Sequence, residues 1–257
     1  MAIITLLSDW KSNDYYSAVI KACVLSQNID IQIVEIAQNL PTFDIVQAAF
    51  ILRSSLPHFP KGTVHLLAIR SVKEDNAPLI IAQWKGQYII GNDTGIFSLI
   101  TQEYEQILNV EYKSNSSFPE KDIFIPLALK LLEGQELLSL GQINHQIILY
   151  RNIQATIEEN QITGTVIYKD SYGNAFVNID KELFYTHQKN RRFEILLNSF
   201  HHKTNTIHQS YHEVEKRELF SIFNSLDLLE IGMRQANACE VLNIQLYSNI
   251  IVRFLEH

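Results

Sequence analysis

Ile3-Ile4-Thr5-Leu6-Leu7-Ser8-Asp9 opens the chain with a short apolar run that stops on a hydroxyl and a carboxylate. A run this short, closed by polar residues, reads as a buried strand that delivers a loop. Outward from it, Tyr15 to Ser26 carries apolar residues at helical spacing, and Ile31 to Ile36 reads as a second strand. Asp44 to Leu56 reads as a helix with Ile45, Ala48, Ala49 and Leu52 on one face and Asp44 near its start. Pro57 and Pro60 end it, and Gly62 introduces a third strand, Thr63 to Ile69. Leu79 to Gln83 and Tyr88 to Gly91 read as a hairpin around Lys85-Gly86. Ile96 to Gln102 and Ile123 to Leu132 read as helices. Strands alternating with helices predict an α/β N-terminal domain, residues 1–145, with a largely parallel central sheet.

Near Gly141 the pattern changes to short β-like runs separated by turn-forming residues: Ile147–Leu149, Gly164–Asp170, Phe176–Ile179, Arg192–Leu197, Leu219–Asn224 and Ile250–Phe254. These predict a smaller all-β barrel as C-terminal domain, residues 160–257, with polar Gln154–Gln161 as linker. The 257 residues suit one large domain or two unequal ones, and 46% apolar with 19% charged side chains is ample material for a core. A formal net charge of −7 argues against nucleic acid as partner, and Lys189, Arg191 and Arg192 form only a short basic run. The two cysteines, Cys23 and Cys239, stand far apart in apolar stretches and read as two buried thiols of a reducing compartment. His201, His202, His208 and His212 cluster in a polar stretch without metal-ligand spacing, so no metal is expected. Asp9, Lys11 and Asp14 interrupt the opening apolar run too early for a secretory leader. No run approaches the ~18 apolar residues of a membrane span. A cytoplasmic location without membrane partner is the expectation.

Ligands of α/β sheets gather at the carboxyl ends of the strands. Three segments fall there: Ser8-Asp9-Trp10, Arg70-Ser71-Val72-Lys73-Glu74-Asp75 and Gly91-Asn92-Asp93-Thr94-Gly95. A carboxylate such as Asp9 can receive both hydroxyls of a ribose diol, or it can cap the following helix. Asn92-Asp93-Thr94-Gly95 serves equally as a turn with an N-cap, and Asp170-Ser171-Tyr172-Gly173-Asn174 as a hairpin turn.

Taken in order, these segments resemble one family, the S-adenosylmethionine (SAM) hydroxide adenosyltransferases, relatives of the SAM-dependent fluorinases and chlorinases. Ile4-Thr5-Leu6-Leu7-Ser8-Asp9, then Asp14-Tyr15-Tyr16, is similar to their ITLLTDFG and D-x-Y. Leu40-Pro41-Thr42-Phe43-Asp44-Ile45-Val46-Gln47-Ala48-Ala49-Phe50 resembles IPPFDIRQAAF, and Gly91-Asn92-Asp93-Thr94-Gly95-Ile96-Phe97-Ser98 resembles GPDNGVFS. Lys121-Asp122-Ile123-Phe124-Ile125-Pro126 resembles RDIFAP, Tyr168-Lys169-Asp170-Ser171-Tyr172-Gly173-Asn174 resembles YIDSFGN, and Asn224-Ser225 with Leu229-Glu230-Ile231 and Asn237-Ala238 resembles the closing motif. The resemblance implies a homotrimer binding SAM or adenosine at subunit interfaces, with SAM as substrate or ligand and no other cofactor. It implies that Asp9 holds the ribose hydroxyls, Phe43 lies beside sugar or adenine, Asp170 meets the methionine ammonium, Asn174 the adenine edge and Ser225 the methionine carboxylate. Asp93 joins this substrate-binding set.

The chain departs from the family where water is activated. Arg70 stands at the family's aspartate, Pro119 at its histidine, and its arginine has no counterpart. Thr94 replaces the asparagine of PDNG, while Glu74, Asp75 and Glu120 are the carboxylates available to compensate. Two readings follow: SAM hydrolysis to adenosine and methionine with altered nucleophile handling, or a catalytically degenerate protein that binds SAM or adenosine.

Overall fold

The computed structural model describes residues 2–69, 77–112, 116–151, 153–197 and 202–255. It divides into two compact units, Met1–Arg151 and Asn152–His257.

In the first unit the elements run β1 (Ile3–Ser8), α1 (Tyr16–Gln27), β2 (Gln32–Ala37), α2 (Ile45–Ser55), β3 (Val64–Ala68), β4 (Leu79–Trp84), β5 (Gln87–Asn92), α3 (Ile96–Ile100), β6 (Gln106–Val110), α4 (Ile125–Leu132) and β7 (Gln142–Ile143). The described strands form one sheet in the order β2-β1-β3-β5-β4-β6-β7. The ladders β2-β1, β1-β3 and β3-β5 are parallel. The ladders β5-β4, β4-β6 and β6-β7 are antiparallel. The sheet is therefore mixed, which corrects the expectation of a largely parallel one. The cause is local: Lys85 (φ 48°) and Gly86 (φ 77°) make a two-residue turn with both φ positive, which joins only antiparallel neighbours. Once β4 points backwards, β6 and β7 extend the antiparallel half.

Both faces of β1 are covered, so the strand is apolar without alternation. Ile4 and Leu6 face a core with Ile20 and Val24 of α1 and Ala128 and Leu131 of α4. Leu7 faces the other core, with Ala48, Ala49 and Leu52 of α2 and Phe97 of α3. Asp44 caps α2 as expected, its Oδ1 accepting from Val46 N (3.1 Å) and Gln47 N (3.0 Å).

A polar line crosses this core. Gln87 Nε2 donates to the carbonyls of Leu56 (3.1 Å) and Phe59 (2.8 Å), which turns its Oε1 to His65 Nε2 at 2.8 Å. Nε2 must then carry the proton, and His65 Nδ1 accepts from Thr5 Oγ1 at 2.7 Å. Burial pushes His65 from 6.5 down to about 4, against the raising effect of the Gln87 contact. The unfolded chain therefore takes up this proton first, so the stability is complete above pH 6.5 and is lost as pH falls toward 4. The expected loss is about 3 kcal/mol between neutral pH and pH 4. Urea melts across this range check it, and His65→Gln should flatten the slope.

The second unit runs β8 (Thr156–Glu158), β9 (Gln161–Lys169), β10 (Ala175–Asp180), α5 (Lys181–Gln188), β11 (Phe193–Leu196), β12 (Lys203–Thr204), β13 (Leu219–Phe223), β14 (Leu228–Met233), α6 (Ala238–Val241) and β15 (Asn249–Phe254). The strands pair antiparallel in the order β12-β11-β15-β9-β10-β14-β13, with β8 added to β9. His208, beyond β12, bridges to Ile222 in β13, so the sheet curls into a nearly closed barrel. Phe184 of α5 is fully buried against the rings of Phe193, Phe223 and Phe254.

Several sequence expectations change here. Ile147–Leu149 forms no strand; Ile148 N and Tyr150 N instead donate to Asp93 Oδ2 (2.7 Å) and Ser98 Oγ (2.9 Å), which hold this run beside α3. Gln154–Gln161 is not a free linker, because Thr156–Glu158 pairs with β9. β6, β14 and α5 were not expected; α5 starts on Asp180, whose Oδ1 accepts from Leu183 N at 2.7 Å. No described helix is long and apolar enough to cross a membrane.

Candidate functional site

In the first unit, parallel pairing brings the carboxyl ends of β1, β3 and β5 to one edge of the sheet. Asp9 leaves β1 there. Its Oδ2 accepts from Phe43 N at 2.9 Å, so it does not cap α1, which has no side-chain cap. Phe43 adopts φ 67°, a left-handed conformation rare for an aromatic residue, and the residue is 62% exposed. Such strain concentrates at ligand clamps. Each carboxylate oxygen has two acceptor sites, so Asp9 retains capacity for two hydroxyls beside an exposed aromatic face.

Asp93 leaves β5 at the same edge and is nearly inaccessible. Its Oδ1 accepts from Gly95 N (3.1 Å) and its Oδ2 from Ile148 N (2.7 Å). Burial pushes its carboxyl up, and these two N–H groups pull it partly back. Both oxygens thus hold backbone. Among the described residues, Ser8 Oγ, Asn92 Oδ1 and Thr94 Oγ1 are buried at these strand ends without a hydrogen-bond partner.

Beside Asp9, Trp10 packs on Tyr16 (5.2 Å between ring centroids) and on the edge of Phe118 (5.6 Å). Phe118 leads through Pro119 into a π-helical turn, Glu120–Phe124, a geometry frequent at functional sites. Pro119 supplies no proton-accepting side chain. Glu120, the first residue of the turn, is buried. The Tyr16 phenol is pushed up chiefly by its hydrogen bond with Tyr15, and it also feels the Asp14 and Glu120 carboxylates. Arg70, Glu74 and Asp75 lie outside the described residues.

The second unit contains a cavity of about 580 Å³ lined by Asp170, Asn174, Tyr211, Phe220, Met233 and Arg234, among others. The Asp170 loop is set by its own carboxylate: Oδ1 accepts from Tyr172 N (3.0 Å) and Asn174 N (2.8 Å), and Oδ2 from Asn174 Nδ2 (3.0 Å). Gly173 is required at φ 81°, and a side chain there would strike Asn237. Behind Asn174 lies Glu230, 1% exposed. Tyr211 Oη donates to its Oε1 (3.2 Å) and Asn224 Nδ2 to its Oε2 (3.1 Å). Burial pushes the Glu230 carboxyl up; Asn224, Tyr211 and Asn174 lower it, and Asp170 raises it. Tyr211 is pushed up to about 12 by burial and by the Glu230 charge. Asp170 is thus the carboxylate that lines the cavity, while Glu230 is buried and held by the cavity residue Tyr211. Arg234 Nη1 is turned to the Val214 carbonyl at 2.7 Å.

Asp170 and Asn174 are therefore brought together, and Asp9 and Phe43 form a second pair. Ser225 sits exposed in the turn between β13 and β14 and does not line the cavity; its neighbour Asn224 is the residue that reaches Glu230. Sequence reading missed Tyr211 and Glu230. The available signal for Glu230 was one carboxylate inside the apolar run Leu228–Met233.

The model of the SAM hydroxide adenosyltransferase N-terminal domain matches residues 4–141, and that of the C-terminal domain matches residues 164–251. The chain belongs to the SAM hydroxide adenosyltransferase family. A relative named (R)-S-adenosyl-L-methionine hydrolase, from Methanocaldococcus jannaschii, is 25% identical over 96% of this chain and 94% of its own. A second of that name, from Thermus thermophilus, is 24% identical over 95% of this chain and 97% of its own. Among solved structures, an uncharacterized conserved protein from Thermotoga maritima superposes with a TM-score of 0.87 at 25% identity, covering 97% of this chain and 99% of the other. Within the SAM hydroxide adenosyltransferase frame, the motif residues Asp9, Phe43, Asp170 and Asn174 mark the two clusters just described. Among the described residues, no group of three His, Cys, Asp or Glu side chains is arranged to hold a metal.

Proposed function

We propose that this protein binds SAM and displaces methionine from the ribose C5′ with water. The observation that carries this reading is the cavity lined by Asp170, Asn174, Tyr211, Phe220 and Met233, with the buried Glu230 carboxyl accepting from its Tyr211 wall. A carboxylate beside apolar walls, with Arg234 turned away to the Val214 carbonyl, favours a ligand that is organic and carries positive charge, as the ammonium and sulfonium of SAM do. Asp170 receives the ammonium, Asn174 the adenine, and Asp9 with Phe43 the ribose.

In the reaction the C5′–S bond breaks with its electron pair retained by sulfur, which leaves as the neutral thioether of methionine. The water oxygen bonds to C5′, and one water proton must be taken away. Because the leaving group is already good, the protein needs chiefly to align the water and accept that proton. Arg70 and Pro119 provide no base. Among the described carboxylates, Glu120 is favoured, because it is buried, opens a π-helical turn and follows the Phe118 ring that packs on Trp10 beside Asp9.

A second reading is SAM or adenosine binding without turnover, favoured by Pro119 at the position of the family's histidine. Both readings share the ligand grips. Isothermal calorimetry with SAM and with adenosine tests them: both ligands should bind, and Asp9→Ala should weaken both by about 10- to 100-fold, the loss of hydrogen bonds to a charged acceptor. Undiminished binding by Asp9→Ala would remove the ribose role. Absence of binding to wild-type protein would leave only the fold.

A further inference from the structure

We propose that Ser8 and Asn92 are water-holding residues: their buried oxygens flank a slot above Ala68 that keeps the attacking water and refuses a halide. The inference deepens the reading of this protein as a SAM hydrolase and rests on it.

Strand register places the slot. Ser8 of β1 pairs with Ala68 of β3. Leu66 of β3 pairs with Ile90 of β5, and continuing that parallel register by two residues puts Asn92 beside Ala68. The three residues form one row across adjacent strands, and side chains in such a row share a face. Alternation identifies the face. Leu6, Leu66 and Ile90 belong to the core that α1 and α4 cover, whereas Leu7 and Leu67 belong to the other. Ser8 and Asn92 therefore fall on the first side, where Ala68 already packs. Ile123 and Phe124 of the π-helical turn pack in that same core, so the turn that opens with Glu120 lies on this side of the sheet.

The row carries polar groups that the protein itself does not satisfy. Neighbouring strands lie about 4.8 Å apart, so the Ser8 and Asn92 Cα atoms stand roughly 10 Å apart with one methyl group between them. Ser8 and Ala68 are inaccessible and Asn92 is 3% exposed. Among the described residues, Ser8 Oγ and Asn92 Oδ1 have no hydrogen-bond partner. Buried polar atoms are as a rule paired with protein or with ordered water. Asn92 Nδ2 donates to the Ala77 carbonyl at 3.2 Å, which orients the amide and leaves Oδ1 as the atom it offers.

These atoms select the occupant. Asn92 Oδ1 only accepts, so the occupant must donate, while the Ser8 hydroxyl can give or take. Water meets both demands. A halide only accepts and would meet Asn92 Oδ1 lone pair against lone pair. Asn92 stands at the proline of GPDNG, so this acceptor belongs to the chain and not to the motif. Ser8 precedes Asp9, the residue proposed to hold the ribose, so the water sits at the edge where C5′ is presented. In the step its oxygen bonds to C5′ and the C5′–S electron pair leaves with sulfur. One proton stays on the new hydroxyl, turned toward Asn92 Oδ1, and the other passes to the Glu120 carboxylate.

The experiment measures single-turnover rates with SAM for wild type, Ser8→Ala and Asn92→Ala, beside calorimetric SAM affinities and thermal melts. Each substitution should slow turnover about 3- to 10-fold, the value of one hydrogen bond, with SAM affinity unchanged. Ser8→Thr keeps the hydroxyl and should recover most of the loss seen in Ser8→Ala. Wild type given chloride or fluoride with SAM should form adenosine and no 5′-halogenated nucleoside. A crystal structure should show an ordered water within hydrogen-bond distance of both oxygens. If Asn92→Ala does not fold, Ser8→Ala carries the kinetic test, because it removes a hydroxyl that holds no protein group. Folded Ser8→Ala with wild-type turnover overturns the proposal while hydrolysis stands, and so does a halogenated product. Absence of turnover in wild type overturns the hydrolysis reading and the role given to this water with it.

Discussion

Asp170→Ala is expected to reduce SAM affinity by about 30- to 4,000-fold, as loss of a partner from a partly buried charge pair does. Two effects combine. The carboxylate proposed to receive the methionine ammonium disappears, and so does the acceptor for Tyr172 N, Asn174 N and Asn174 Nδ2. The second effect releases the loop, so adenosine, which has no ammonium, should also bind more weakly, though by less. Asp170→Asn separates the two: it retains an oxygen for the loop and removes the charge. Calorimetry with both ligands should show SAM affected more than adenosine in the asparagine variant. Equal losses for the two ligands would reduce Asp170 to a loop residue.

Glu120→Gln is expected to lower the turnover number for SAM hydrolysis by about 10²–10⁴-fold, with little change in SAM affinity, because general bases contribute in that range. Glutamine keeps the size of a buried side chain, so the π-helical turn should persist. Single-turnover rates measured beside binding constants make the distinction. A variant that binds and turns over as wild type would place the proton elsewhere, and Glu74 and Asp75 become the next positions to replace.

Much of the first unit is legible because local chemistry and tertiary context agree. β1 reads as buried because its unbroken apolar run serves two cores, and α2 reads as a helix because Asp44 caps it ahead of Ala48, Ala49 and Leu52. The antiparallel half of the sheet was implied by Lys85-Gly86 but not carried through to β6, where polar Asn109 interrupts Gln106–Val110. The barrel was legible as a series of short strands. Its helix α5 was not, since Phe184 is its only fully buried residue.

The candidate site was read from motif order rather than from any single residue. Asp9, Asp170 and Asn174 stand in recognisable loops. The strained φ of Phe43 has no signature in the residue type, and the Tyr211–Glu230 pair joins positions 19 residues apart. Asp93 illustrates the converse: the sequence marks a loop carboxylate at a ligand edge, and the fold uses both its oxygens to fasten Gly95 and Ile148.

The most direct test of the account is chromatography of SAM after long incubation with the purified protein, beside a no-enzyme control. The account predicts adenosine and methionine in equal amounts above that control, lost in Asp9→Ala. SAM that is bound yet recovered intact would contradict hydrolysis and leave a binding protein.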